Sequence, residues 1–250
     1  MPKYKFPYSL SLAFPAYNEQ ENISGLVRNA LKVASKLTKD FEIIVVDDGS
    51  KDKTAEVAEE LGKKYKQVKL IRHRKNQGYG AAVNTGLFAA KKQIVFFSDS
   101  DRQFNLKELP EFLKWIEDYD AIIGYRNPRR DSLMRLANAW GWKMLIFFLF
   151  GVSIIDIDCA FKAFKRKTLR KIKVESRGAM YSAELLIRLI GARAKMIQKP
   201  VGHYPRRAGN PTGAKPRVIL RAFRELFKFR KKIRKALDPI PYKYRAIKSL

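Results

Sequence analysis

Residues 93–103 read QIVFFSDSDRQ, an apolar run that ends abruptly in two carboxylates, Asp99 and Asp101. The run has the length and composition of a buried β-strand, and the carboxylates follow its carboxyl end. Two like charges this close raise each other's pKa and cost stability unless a cation lies between them. The stretch therefore predicts a strand end that carries either a divalent-metal site or a solvated turn.

The chain around this stretch alternates between strand-like and helix-like segments. Strand-like runs cover residues 8–14, 41–46, 68–71, 93–97 and 120–125, with helix-like stretches at 20–37, 52–64, 79–91 and 106–118. This order predicts an α/β fold, a mostly parallel central sheet with helices on both faces. Such sheets bind ligands at the carboxyl ends of their strands. The unusual polar segments fall there: PAYNE (15–19), DDGS (47–50) and SDSD (98–101).

Composition indicates a globular protein with anionic partners. The 250 residues are 46% apolar, enough for a sizeable core, and the single cysteine, Cys159, excludes an internal disulfide and favours a reducing compartment. The first ten residues do not have the pattern of a signal peptide. Lys and Arg total 52 against 24 Asp and Glu, a formal charge of +28 that is concentrated in segments such as 160–173 and 221–235. An acidic membrane surface or nucleic acid would attract such charge.

Two segments of the second half have the pattern of amphipathic helices. Residues 133–155 are rich in aromatic and aliphatic side chains, but their longest apolar stretch is too short to span a bilayer. With Arg135, Asn138 and Lys143 on one side, a helix here would lie either in the membrane interface or in the protein core. The segment 216–236 mixes basic and apolar residues, among them Leu226, Phe227 and Phe229, and is expected to face a membrane.

Four motifs in order resemble the nucleotide-binding half of inverting family 2 glycosyltransferases with the GT-A-type fold. They are PAYNE (15–19), VDDGS (46–50), NQGYGAAVNTG (76–86) and DSDRQ (99–103). The chain is most similar to polyprenyl-phosphate sugar synthases of the dolichyl-phosphate mannose synthase type. The resemblance covers about residues 8 to 215. It implies a glycosyltransferase domain 1–215, with a nucleotide-sugar half 1–125 and an acceptor half 126–215, followed by a basic amphipathic tail 216–250.

The resemblance also implies a set of site residues. Asp99 and Asp101 would bind Mg²⁺ or Mn²⁺, which prefer hard oxygen ligands, and Asp101 would be catalytic. Arg126 would face the acceptor phosphate, and Glu184 would border the acceptor on a helix. The implied nucleotide-sugar contacts are Pro15, Ala16, Tyr17, Glu19, Val46, Asp48, Asp99, Ser100, Gln103, Arg206, Arg207 and Lys215. Asn18 would in addition cap the helix that follows.

The expected activity is inverting transfer of mannose or glucose from a GDP- or UDP-hexose to a polyprenyl phosphate. The protein would act as a peripheral protein at the cytoplasmic membrane face, bound to anionic lipid or to a membrane-anchoring partner. A lipid phosphate is already anionic and needs no general base, whereas a hydroxyl acceptor does. One alternative therefore keeps the fold and glycosylates a lipid or saccharide hydroxyl, with Glu184 or Asp158 as base. Two remote alternatives are a dinucleotide-binding dehydrogenase, suggested by Gly78 and Gly80, and a basic nucleic-acid-binding protein; neither explains carboxylates at three strand ends.

Overall fold

The architecture is three-layered, with one mixed sheet between two layers of helices. The computed structural model describes residues 6–129, 133–206, 225–227, 229–233 and 247–249. The strands are β1 (Leu10–Ala16), β2 (Phe41–Asp47), β3 (Val68–Arg72), β4 (Ile94–Ser98), β5 (Ala121–Arg126), β6 (Phe161–Lys165), β7 (Met196–Val201) and β8 (Lys248–Ser249). The helices are α1 (Gln20–Leu37), α2 (Thr54–Lys64), α3 (Tyr79–Ala89), α4 (Leu109–Leu113, flanked by 3₁₀ turns), α5 (Leu133–Phe150), α6 (Arg166–Leu169) and α7 (Tyr181–Gly191).

The sheet runs in the order β3-β2-β1-β4-β6-β5-β7-β8. Every pairing is parallel except those of β6, which runs antiparallel to both β4 and β5. The predicted mostly parallel α/β sheet with helices on both faces is confirmed, and the five predicted strands are β1 to β5. The sequence did not predict β6. Because β6 is antiparallel, its first residue, Phe161, pairs with Ser98, and residues 156–162 reach the edge where β4 ends.

Side chains of the strands alternate between two cores, as the pleat requires. In β1, Leu10, Leu12 and Phe14 face the core under α1, α2 and α4, while Ala13 faces the core under α3, α5 and α7. Helix α1 is amphipathic, with buried apolar residues spaced three and four apart from Ile23 to Leu37, so it forms where one face can be covered by the sheet. The strand ends that carry the polar motifs lie between these two cores.

Helix α5 divides its apolar surface between core and solvent. Ile146 and Phe150 are buried with the α3 and α7 residues, whereas Trp140 and Phe148 are 67% and 75% exposed. The core alternative therefore describes one face of α5, and a membrane interface at the other face stays a prediction. Of the predicted polar side, Asn138 is exposed and Lys143 is half-buried, and the large side chains exposed on the described part of the helix are apolar. None of the described helices is long and apolar enough to cross a membrane.

The described part of the segment 216–250 packs on the domain. Residues 225–227 and 229–233 are helical, and Leu226, Phe229 and Ile233 are buried in the core that contains α5 and α7. The Phe229 ring lies 5.7 Å from Phe150. The expectation that Leu226 and Phe229 face a membrane is therefore wrong, although Phe227 is exposed. A domain boundary at residue 215 stays a prediction.

Candidate active site

The loops after β1 and β2 interlock at the carboxyl edge of the sheet. The Asn18 amide donates to Ser50 Oγ (2.9 Å), and the Lys51 amide donates to Asn18 Oδ1 (2.9 Å). The Glu19 amide donates to Thr54 Oγ1 (2.8 Å). The expected helix cap by Asn18 is wrong, because its side chain serves the neighbouring loop and α1 starts after Glu19 without a side-chain cap. The PAYNE motif is thus fixed in place by the DDGS loop.

Several predicted nucleotide contacts are buried and shape the site through the backbone. Pro15 and Ala16 are the buried last residues of β1, and the Ser100 hydroxyl donates to the Pro15 carbonyl (2.8 Å), which joins the ends of β1 and β4. Val46 lies in the core with no exposed surface. Tyr17, another predicted nucleotide-sugar contact, is half-buried in the loop, so part of its side chain is accessible to a ligand.

Asp48 is buried and holds the glycine loop. Its Oδ1 accepts from the Gln77 amide (2.9 Å) and contacts His73 Nδ1 (2.7 Å), and its Oδ2 accepts from the Gly78 amide (2.9 Å). Gly78 has φ 106°, and a Cβ there would lie 2.6 Å from the Arg177 carbonyl oxygen, so the loop requires glycine. The contact of Asp48 with a nucleobase stays a prediction, and its observed partners give it a role in positioning the loop.

Asp99 and Asp101 are brought together directly after β4. Burial, and next the neighbouring Asp101, raise the pKa of Asp99 to about 7, while the Tyr79 hydroxyl that donates to Asp99 opposes this shift. Asp101 Oδ1 accepts from the Gln103 amide (3.1 Å), which closes the turn and fixes the orientation of this carboxylate. The structure therefore places two carboxylates whose charges repel each other at the carboxyl edge of the sheet.

The carboxylates of Asp99 and Asp101 fit a hard divalent cation that takes only some of its ligands from the protein. Within the described residues, no group of three or more His, Cys, Asp or Glu side chains is gathered as a metal cage. Mg²⁺ in particular is commonly held by one or two carboxylates together with substrate phosphates and water. Asp99 and Asp101 could supply the two carboxylates, and the remaining positions would be open to phosphate oxygens.

Arg206 lies between two acidic groups of the site. Its Nη2 donates to Glu19 Oε1, and its Nη1 lies 3.8 Å from Asp101 Oδ2. The segment between β7 and Arg206 is attached to the carboxylate turn by two hydrogen bonds, from Gln103 Nε2 to the Tyr204 carbonyl (3.1 Å) and from the Tyr204 amide to the Gln103 carbonyl (2.9 Å). Arg206 is therefore within reach of an anion bound near Asp101, while Arg207 and Lys215 lie outside the described residues.

Arg126, at the end of β5, forms a bidentate pair with Asp156. Nε donates to Oδ2 (2.7 Å) and Nη2 donates to Oδ1 (2.9 Å). Burial would raise the pKa of Asp156, but Arg126 holds that pKa below its usual range, and Arg129, with Nη1 3.8 Å from Oδ1, acts in the same direction. Asp156 had no role predicted from the sequence, because only the antiparallel β6 brings it to Arg126.

Glu184 is not placed to take a proton from an acceptor. It is 1% exposed. Oε1 accepts from the Glu175 amide (3.0 Å) and Arg188 Nε (2.6 Å), and Oε2 accepts from the Ser176 amide (2.9 Å) and hydroxyl (2.5 Å). With two donors on each oxygen, Glu184 anchors residues 175–176 to α7, as a structural carboxylate does.

Tyr79 and Asp158, to which the favoured prediction gave no role, also lie at the site. Tyr79, which lies between Gly78 and Gly80, is 39% exposed, and desolvation by the surrounding protein together with Asp99 raises the pKa of its hydroxyl well above the usual value. Asp158 is exposed, and desolvation by the surrounding protein and then the charge of Asp156 raise its pKa to about 6. An aromatic residue between two glycines was the available sequence signal for Tyr79.

Comparisons with known proteins identify a family and relatives of this chain. A family model described as "Glycosyl transferase family 2" matches residues 11–173. The dolichyl-phosphate hexose transferase of Haloferax volcanii is 30% identical over 214 residues, which cover 84% of this chain and 88% of that protein. The dodecaprenyl-phosphate galacturonate synthase of Rhizobium johnstonii is 28% identical over 169 residues, 66% of this chain and 50% of that protein. The chain thus spans about half the length of the latter relative.

A solved structure shares the fold at lower identity. Glucosyl-3-phosphoglycerate synthase from Mycobacterium tuberculosis, solved with Mn²⁺, uridine-diphosphate-glucose and phosphoglyceric acid, superposes with a TM-score of 0.65 and 20% identity. The match covers 92% of this chain and 79% of that one. The same enzyme has been solved with Mg²⁺ and uridine diphosphate.

Proposed function

Because the chain belongs to glycosyl transferase family 2, we propose that it transfers a hexose, mannose or glucose, from a nucleotide diphosphate-sugar to a polyprenyl phosphate with inversion at the anomeric carbon. The observation that carries this proposal is the carboxylate pair Asp99 and Asp101 at the end of β4, beside Glu19 and Arg206. Relatives named for dolichyl- and dodecaprenyl-phosphate sugar transfer support the acceptor class.

The donor would bind along the carboxyl edge of the sheet. Tyr17 and Glu19 are available to the nucleoside, and Gln103 and Arg206 to the diphosphate. A Mg²⁺ or Mn²⁺ ion held by Asp99 and Asp101 would neutralise charge on the departing diphosphate. Calorimetry with uridine and guanosine diphosphates, each with and without Mn²⁺, tests this directly. If neither nucleotide shows metal-dependent binding, the proposed function is contradicted.

Transfer to a lipid phosphate needs positively charged groups that position the phosphate more than it needs a general base. An oxygen of the lipid phosphate attacks the anomeric carbon, the bond from that carbon to the diphosphate oxygen breaks, and the nucleoside diphosphate leaves with the bonding electrons. A phosphate monoester is mostly anionic at neutral pH, so no proton has to be removed first. Arg126 and Arg129, held at the end of β5 by Asp156, would orient this anion.

A second candidate function is transfer to a lipid or saccharide hydroxyl, and Asp158 favours it. An exposed carboxylate with a pKa of about 6 has the properties of a general base. Transfer of radiolabelled sugar into organic extract, with polyprenyl phosphate and polyprenol compared as acceptors, separates the two. We expect product with the phosphate only, and product with the alcohol only would establish the second candidate instead.

We expect the Glu184→Gln variant to lose stability but to keep its chemistry. The amide replaces one acceptor oxygen by a donor that faces backbone N–H groups, so the free energy of unfolding should fall by about 1–3 kcal/mol. At a temperature where the variant is folded, kcat should stay within a few fold of the parent. Thermal melting and initial rates measure the two effects, and a fall of about 10²–10⁴ in rate in a folded variant would show that Glu184 is the base.

The membrane attachment we propose is peripheral and uses the exposed face of α5. Met134, Trp140, Phe147 and Phe148 are exposed apolar side chains on that helix, and the chain carries a formal charge of +28. Apolar side chains inserted beside basic ones are typical of helices that bind the surface of anionic membranes. The acceptor lipid would then be taken from the cytoplasmic face.

We expect Phe148→Glu to weaken flotation with anionic vesicles, because it places a charge on the inserted face. Binding by the parent should fall as salt rises, since surface attraction is screened. Gln67→Glu, which adds the same charge at an exposed position before β3, is the matched control and should float normally. Nuclease-treated protein excludes bridging by nucleic acid. Equal flotation of the Phe148 variant and the parent would show that α5 does not contact the membrane.

A further inference from the structure

Lys162 is a fully buried lysine directly behind the site. It is the second residue of β6 and has no exposed surface. Its neighbours across the sheet are Phe97 on β4 and Ile123 on β5, so its backbone lies between the strand that Asp99 follows and the strand that ends in Arg126. An ammonium group is costly to bury, and a methionine of similar length would fill the same space without that cost. The position therefore points to a use for the charge.

The Lys162 side chain ties together the loop that precedes β6. Its Nζ donates to the carbonyl oxygens of Ile157 (3.1 Å) and Cys159, and it lies 5.6 Å from the centre of the Phe97 ring. The same loop contributes Asp156, which pairs with Arg126, and Asp158, which is exposed. Lys162 thus fixes the segment that carries two of the acidic groups of the site.

Three aspartates from two segments act electrostatically on this ammonium group. Burial lowers the pKa of Lys162, while Cys159, Asp156, Asp158 and Asp99 oppose that shift. In the other direction, the charge of Lys162 lowers the pKa of both Asp99 and Asp158 against their burial. Arg126 also lowers both pKa values, but it is paired with Asp156.

We propose that Lys162 is a positioning residue. Its fixed positive charge lowers the affinity of the site for a divalent metal alone and raises the affinity for the phosphates of the substrate. The proposal rests on the proposed function for the identity of the phosphate ligand as a nucleotide diphosphate. A residue that only supported the fold would affect both ligands in the same direction. A charge affects them in opposite directions.

The test compares the full chain with Lys162→Gln, which keeps an N–H donor for the loop carbonyls and removes the charge. Titration with Mn²⁺ alone should show affinity about tenfold tighter than in the parent, because one positive charge near the carboxylates is gone. Uridine and guanosine diphosphates at saturating Mn²⁺ should bind about tenfold more weakly. Lys165→Gln removes a charge from the other end of β6, where Lys165 pairs with Ile94, and should change neither affinity.

Lys162→Met removes the same charge with a side chain of similar length, and it keeps the proposal testable if Lys162→Gln folds poorly. A double variant then tests whether the charges interact. Adding Asp158→Asn removes an opposing charge and should return Mn²⁺ affinity to within about threefold of the parent, as expected for charges that interact. Weaker binding of both Mn²⁺ and nucleotide in folded Lys162→Gln, or unchanged Mn²⁺ affinity, would overturn the proposal. Failure of the parent itself to bind either nucleotide would instead contradict the proposed function.

Discussion

Replacing Asp101 with asparagine is expected to abolish sugar transfer and the metal-dependent part of nucleotide binding while the fold survives. Asparagine keeps the size of the side chain and the oxygen that accepts from the Gln103 amide. It removes the charge that would hold a divalent ion beside Asp99. Charge stabilisation by such an ion is worth several kcal/mol, so the rate should fall by about 10³-fold or more.

The measurement pairs initial rates with calorimetry and thermal melting. Asp118→Asn, the same substitution at an exposed position, is the matched control and should keep full activity. Excess EDTA on the parent protein should reproduce the loss seen in the Asp101 variant. Undiminished transfer by Asp101→Asn, or by the parent in EDTA, would show that the carboxylate pair does not hold a catalytic metal.

Replacing Arg126 with alanine is expected to lower both the rate and the stability. Loss of a group that stabilises developing or bound negative charge typically costs about 2–4 kcal/mol in the transition state. In addition, Asp156 would remain buried without its bidentate partner, and breaking a buried pair in this way typically costs about 3–5 kcal/mol of folding free energy. The two losses have different origins and can be separated.

The double variant Arg126→Ala with Asp156→Asn makes that separation. It removes the uncompensated carboxylate, so the free energy of unfolding should recover most of its loss, while transfer to polyprenyl phosphate stays low. Arg28→Ala, on an exposed position of α1, is the control for loss of an arginine. If the double variant regains both stability and rate, Arg126 serves the fold alone and does not position the acceptor.

Much of the nucleotide half was predictable because its signals are local. Apolar runs of strand length are each followed by polar residues, and in parallel strands all carboxyl ends meet at one edge. For that reason Asp99, Asp101, Glu19 and Asp48 could be assigned to one edge from the sequence. The sequence did not show which carboxylates are buried and hydrogen-bonded to other parts of the protein. Asp48 is fully occupied by His73 and the glycine loop, and Glu184 by Ser176 and Arg188.

The acceptor half was predicted less well because its arrangement depends on contacts between distant segments. Residues 133–155 carry apolar side chains on more than one face of a helix, and periodicity alone does not say which face the protein covers. The core takes Ile146 and Phe150 and leaves Trp140 and Phe148 outside. In the same way, the basic helix near residue 229 turns Phe229 toward Phe150, a contact between segments 79 positions apart in the chain.

The sequence by itself determined the layered α/β fold, the family resemblance and the carboxylate pair after β4, because strand length, helical period and strand-end polarity are properties of short windows. Only the tertiary structure decided what surrounds that pair. β6 enters the sheet antiparallel between β4 and β5, so residues before this strand, and not after it, reach the carboxyl edge. That reversal brings Asp156 to Arg126 and buries Lys162 behind the carboxylates, and strand direction is set by the pairing of distant segments, which no local pattern encodes.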